Sequence, residues 1–289
     1  ELLPASQLVK ANGWIEGLTV ASIVLGILLG GQLIGPRISG ELLALDLPML
    51  DTGIDNAPEA AIVLILFIYG IAAVLNLNIP RTDAPLIPMD GLRELVRDFS
   101  RCNARLWADK LGQISLATTT LLWGIFGNLR LIVFAWAAAL GYTTAQASNL
   151  AGVVVIGSIL GAVVASMTTK LDRATNVIPI AIGVGFLMIG LVFIRTLGQA
   201  VPFLVVMGAI CGFLIVPMNA LLQHRGHNLM GAGRSIAVQN FNEQACILGL
   251  GALYVGMTKA GLTAFGAITI FGLLVAGTME AIRRWHRRN

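Results

Sequence analysis

Charge is what this sequence has least of. Asp, Glu, Lys and Arg make up 12% of its 289 residues and apolar types 56%, against roughly 25% charged in a soluble domain, which excludes a water-facing globular surface. Histidine and cysteine number three each. Cys102, Cys211 and Cys246 show no paired spacing, so neither a disulfide framework nor a metal site is expected. His224 and His227 stand three apart in an expected loop with no third ligand, the pattern of solvated loop histidines. No phosphate-binding P-loop, nucleophile elbow or His-Glu-x-x-His is present, so no residues are set out for ATP hydrolysis or hydrolytic chemistry, and nothing calls for a cofactor. No signal peptide is legible, and the first residue is Glu1 rather than Met.

What the chain has instead is long apolar runs. A bilayer core about 30 Å thick takes about 20 apolar residues per helix, and eight segments meet that requirement: 13–35, 59–78, 113–139, 145–168, 176–195, 199–222, 235–257 and 262–282. An alternating barrel pattern is missing, and lipid offers no partner to exposed backbone groups, so the expected class is an all-α polytopic membrane protein. With both termini in the cytoplasm, fifteen Lys and Arg lie inside and three (Arg37, Arg195 and Lys259) outside, which fixes the expected topology by the positive-inside rule. The net charge of +4 is therefore no sign of nucleic-acid binding.

The longest charged stretch, residues 81–110, divides the chain into two spans before it (1–80) and six after it (111–289). Leu92, Leu95, Val96, Phe99, Cys102 and Leu106 recur there at helical spacing with arginines between them, predicting an amphipathic helix on the inner membrane surface with Asp90 as its N-cap. Across this linker, ANGWIE (11–16) aligns with VQNFNE (238–243). Both follow a basic stretch and open a glycine-rich span, as in transporters built from repeated halves. If the copies are equivalent, the six-span part expects a six-span partner of which the last two spans are present here.

Two ionisable groups fall inside spans. Gln239, Asn242, Glu243 and Cys246 follow the i, i+3, i+4, i+7 pattern and share a helical face, with Asn240 beside them. Arg130 shares a face with Trp123, Gly127 and Phe134. A charge in hydrocarbon costs at least ~2.5 to 3.5 kcal/mol, so each is expected to turn toward protein or water and to serve function. At about 1.5 Å per residue, Arg130 lies about 25 Å and Glu243 about 12 Å from the cytoplasmic end, which favours a polar ladder over a closed salt bridge. A guanidinium forks onto phosphate and a carboxylate accepts an ammonium, so a zwitterion suits the pair. Glu16 and Asn12, the repeat counterparts of Glu243 and Gln239, would add polarity near the inner mouth. The other readings are a buried ion pair or a hydrogen-bond cluster locking helices together. Gly26 with Gly30, Gly157 with Gly161 and Gly208 with Gly212 form GxxxG pairs, which let helices approach closely. Pro217, beside Asn219, is expected to kink its span.

LVKANGWIE (8–16), FGNLRLIVFAW (126–136), VPMNALLQHRG (216–226) and GAGRSIAVQNFNE (231–243), in this order, resemble the bacterial lysophospholipid transporter family within the major facilitator superfamily. Members have twelve spans, and this sequence resembles the last eight. The resemblance implies a partial major facilitator fold and an inner-membrane flippase, not an enzyme, that moves lysophosphatidylethanolamine and related lysophospholipids to the cytoplasmic leaflet. An acyltransferase-acyl carrier protein synthetase would reacylate them there. It also implies that Arg130 meets the head-group phosphate and Glu243 the amine or a gating contact, and that the first and fourth spans border a lateral opening whose glycine pairs admit an acyl chain. A carrier of a soluble zwitterion or drug, and a scaffold docking the acyltransferase through the linker helix, are the other readings.

Overall fold

The computed structural model describes residues 7–33, 57–78 and 91–288. Among them all regular structure is helical. We number the helices α1 (Leu8–Leu33), α2 (Ala57–Asn76), α3 (Leu92–Ala108), α4 (Lys110–Ala139), α5 (Thr144–Thr168), α6 (Ile178–Gly190), α7 (Leu197–Met230), α8 (Ala232–Lys259) and α9 (Ala264–Arg288). Short 3₁₀ helices at Leu171–Val177 and Leu191–Phe193 flank α6. Residues 1–20 with 88–289 form one compact unit and residues 21–87 another.

Among the described residues, five helical stretches are long and apolar enough to cross a membrane: Lys110–Ala139, Gln146–Thr168, Leu171–Phe193, Leu197–Met230 and Ala264–His286. The chain is thus a multi-pass membrane protein. α8, at 28 residues, is long enough but stays outside that set, because its first half carries the amides and the carboxylate noted above. The interior of the larger unit is apolar, centred on Trp136, Phe271, Ile132 and Leu214, all fully buried. Trp136 keeps its indole N–H satisfied by donating to the Leu191 carbonyl at 3.0 Å, whose oxygen also accepts from Ile194 N at 3.2 Å in the 3₁₀ turn.

The most extensive helix pair is α5 with α7, and glycine is the reason. A Cβ on Gly161 would stand 1.8 Å from the Ala209 carbonyl oxygen, one on Gly208 2.0 Å from that of Val154 and one on Gly212 2.0 Å from that of Ser158. The two GxxxG pairs therefore face each other, backbone against backbone. This corrects the expectation that Gly157 and Gly161 border an opening. Gly26 has nothing within 4 Å of its Cβ position, and Gly30 lies outside the described side chains.

Two further expectations change. α7 runs unbroken through Pro217 to Met230, so His224 and His227 ride on its last two turns and not in a loop. The link to α8 is one residue, Gly231, whose φ of 86° is open to glycine without the Cβ penalty. The linker helix α3 begins after Gly91 at φ 95°, and Asp90 lies outside the described residues. Its apolar stripe divides: Cys102 and Leu106 are buried against Leu116, Leu222 and Val238, whereas Leu92, Leu95 and Val96 are exposed. Phe99 meets Phe241 edge to face at 5.1 Å, and Asp98 pairs with Arg234 at 2.9 Å. Among the described residues, the helix is docked on the bundle through its C-terminal half.

Candidate functional site: the polar faces of α4 and α8

The face that spacing assigns to one side of α8 is shared between two neighbours. Gln239 and Glu243 are buried, and the Gln239 amide donates to Glu243 Oε1 at 2.8 Å and to Asn219 Oδ1 of α7 at 3.1 Å. Asn242 turns to α3 instead. Its amide donates to Asn103 Oδ1 at 2.9 Å and to its own helix at Val238 O, and its oxygen accepts from Trp107 Nε1 at 3.3 Å. Cys246 packs on α4, its sulfur 2.6 Å from where a Gly124 Cβ would stand. Asn240 is exposed. Residues 100° apart on a helix still meet different partners when three helices crowd around it.

On α4, Gly127 packs on Ile247 of α8, while Arg130 is exposed and reaches back over the Phe134 ring, 5.5 Å from its centroid. Below it along the same helix, Thr120 Oγ1 and Trp123 Nε1 are buried without a hydrogen-bond partner among the described residues. Unmet donors and a cation thus line up along one strip of α4. Among the described residues no ion pair joins Arg130 to Glu243. Among the described residues, Glu243 is buried on the α7 side of α8, whereas Arg130 is exposed on α4. Asn12 and Glu16 belong to the backbone of α1, and their side chains lie outside what the structure describes.

Three contributors were not singled out from the sequence. Asn219 was noticed only for its neighbour Pro217. Asn128, two residues before Arg130, is buried and ties α4 to α8 by donating to Ile247 O at 2.9 Å; an amide inside an apolar run was the available signal. Lys10 stands at one end of a groove of about 680 Å³ between the first turns of α1 and the last turns of α5, walled by Trp14, Gly17, Leu18, Val163 and Met167. Gly13 makes that approach possible, its Cβ position 2.3 Å from Ser166 Cβ.

At the end of the bundle that carries α3, Asp109 caps α4 by accepting from Gly112 N at 2.8 Å and pairs with Arg225 of α7 through Nε at 3.0 Å and through Nη2. The Arg225 guanidinium beside it holds the Asp109 carboxyl below the usual carboxylate range.

Lysophospholipid transporter LplT of Klebsiella pneumoniae subsp. pneumoniae is 33% identical over 291 residues, covering all of this chain and 68% of that protein. The chain belongs to the lysophospholipid transporter family. Proteins of the same name from Escherichia coli O1:K1 and Shigella dysenteriae serotype 1 are 32% and 33% identical over 292 residues, again covering all of this chain and 68% of each relative. No family model and no solved structure matches the chain.

Proposed function

We propose that this chain carries lysophosphatidylethanolamine and related lysophospholipids across the bacterial inner membrane to the cytoplasmic leaflet, with both of its termini cytoplasmic. Residues 1–80 end one helical bundle, 81–110 link it to the next, and 111–289 form the second. The observation that carries this reading is Arg130, a guanidinium two thirds of the way along a membrane-spanning helix, exposed and without a carboxylate partner among the described residues. Such a charge is retained at a cost only where a polar species comes to meet it, and its planar fork matches phosphate oxygens.

Glu243, set by Gln239, serves the amine of the head group or a gating contact, and Asn240, Asn242, Glu16 and Asn12 add polarity along the path. The groove beside Lys10 favours an amphiphile over a soluble zwitterion, because an apolar trough at helix ends has nothing to offer a small polar solute. The chain acts by rocking of bundles around the head group and not as an enzyme. An acyltransferase-acyl carrier protein synthetase receives the product.

Uptake of labelled lysophosphatidylethanolamine into spheroplasts tests the reading. Arg130→Ala and Glu243→Gln should both lose uptake, and excess free glycerophosphoethanolamine should leave wild-type uptake intact because the tail contributes binding. Normal uptake in both variants would sink the site, and full competition by the tail-less head group would favour the soluble zwitterion.

A further inference from the structure

A second pocket lies apart from Arg130, by about 30 Å along α4 at 1.5 Å per residue. It occupies about 350 Å³ where the end of α3, the first turns of α4 and the last turns of α9 meet, and Trp107, Lys110, Gln113, Ile282, Trp285 and His286 line it. That volume is in the range of small-ligand sites. Periodicity builds two of its walls: Lys110, Gln113, Ile114 and Ala117 are one face of α4, and Ile282, Trp285 and His286 one face of α9.

The chemistry of the walls is divided. The floor is apolar, with Ile114 2% exposed. Trp107 has its indole N–H committed to Asn242, so its ring is left as a wall, and Trp285 is 56% exposed opposite. At the rim stand exposed Lys110 and half-buried Gln113. His286 Nδ1 is buried and has no hydrogen-bond partner among the described residues, and neither has Arg283 Nε one turn before it. Among the described residues no carboxylate lines the pocket. The adjoining Asp109 is engaged by Arg225, and Glu280 by Arg283 and Arg284, so Lys110, Arg283 and Arg284 together outnumber the one carboxylate among them.

We propose that this pocket holds the head group of an anionic glycerophospholipid from the adjoining leaflet, with Lys110 and His286 on the phosphodiester and the two tryptophans and Ile282 against the glycerol and the first methylenes. Basic pockets at a membrane boundary take anionic head groups, and tryptophan belongs at that depth. A free phosphate would leave the aromatic walls and apolar floor without contact, which is why the lipid is the occupant. The site is additional to the transport path, and its test does not depend on transport.

Purified full chain is equilibrated in detergent with equal phosphatidylglycerol and phosphatidylcholine, and retained lipid is counted by native mass spectrometry. The wild type should retain phosphatidylglycerol over phosphatidylcholine by about fivefold, the share of one basic group near a membrane surface. Lys110→Gln with His286→Ala should bring that ratio near one, Trp285→Ala should lose retention with the charges in place, and Glu243→Gln should keep the wild-type ratio even if uptake is lost. No preference in the wild type, or an unchanged ratio in both the double variant and Trp285→Ala, overturns the site. Displacement of the lipid by millimolar glycerol 3-phosphate overturns the lipid assignment in favour of a small-anion site.

Discussion

One amide joins two helices in the bundle: Gln239 of α8 donates to Glu243 on its own helix, one turn on, and to Asn219 on α7, at 2.8 and 3.1 Å. The carboxylate is thereby held by a group that is itself held. A rotation of α8 against α7 would break the second bond and release the first.

Gln239→Leu removes both bonds while keeping bulk. Interhelical hydrogen bonds in membranes are worth about 0.6 to 1.7 kcal/mol each, so the variant should unfold at a moderately lower temperature in detergent. Uptake should fall at least about tenfold, since a loss of 1.4 kcal/mol in positioning is a factor of ten. Uptake at wild-type level with the lowered melting temperature would reduce Gln239 to a packing role.

Arg130 is exposed, so truncation leaves no buried partner stranded. Arg130→Ala should change stability by no more than about 0.5 kcal/mol while abolishing lysolipid uptake. Arg130→Lys should recover a fraction of it, because a point charge replaces the fork but not its two parallel bonds. Equal activity of the Lys and Arg forms would argue against bidentate phosphate contact.

The pair of Asp109 with Arg225 gives a pH signature. Because Arg225 depresses the folded-state Asp109 pKa below the unfolded value of about 3.9, the pair contributes fully above that value and its contribution disappears as pH falls through the folded pKa. With side chains 16% and 31% exposed, about 1 kcal/mol is expected. Thermal unfolding at pH 7 and at pH 3 should show Asp109→Asn closer to wild type at the lower pH; a constant gap would mean that the cap to Gly112, not the charge, is what matters.

At the α5–α7 seam a larger residue has nowhere to go. Gly161→Leu would drive carbon into the Ala209 carbonyl and should destabilise the bundle by about 1 to 3 kcal/mol or more, read as a lowered melting temperature. Gly26→Leu, with open space at its Cβ, is the control and should leave the melting temperature within a degree or two.

Glycine spacing announced that some helices would touch, yet only the fold showed that Gly157 and Gly161 meet Gly208 and Gly212. The two histidines looked like loop residues because the apolar run ends near residue 222. α7 continues past them since a helix in water still satisfies its own backbone, and its last turns are braced by Arg225 on Asp109. The stripe on α8 was legible as a stripe; that Asn242 would serve α3 and Gln239 would serve α7 was not.

By itself the sequence determined the helical, membrane-spanning class and singled out Arg130 and Glu243 as charges in otherwise apolar runs, because hydrocarbon leaves the backbone no other partner and makes every retained charge conspicuous. Only the tertiary structure decided what each face touches. Spacing fixes a side chain's angle around its own axis, but the neighbour at that angle comes from elsewhere in the chain, as Lys110 and His286 do when they meet in one pocket across 176 positions.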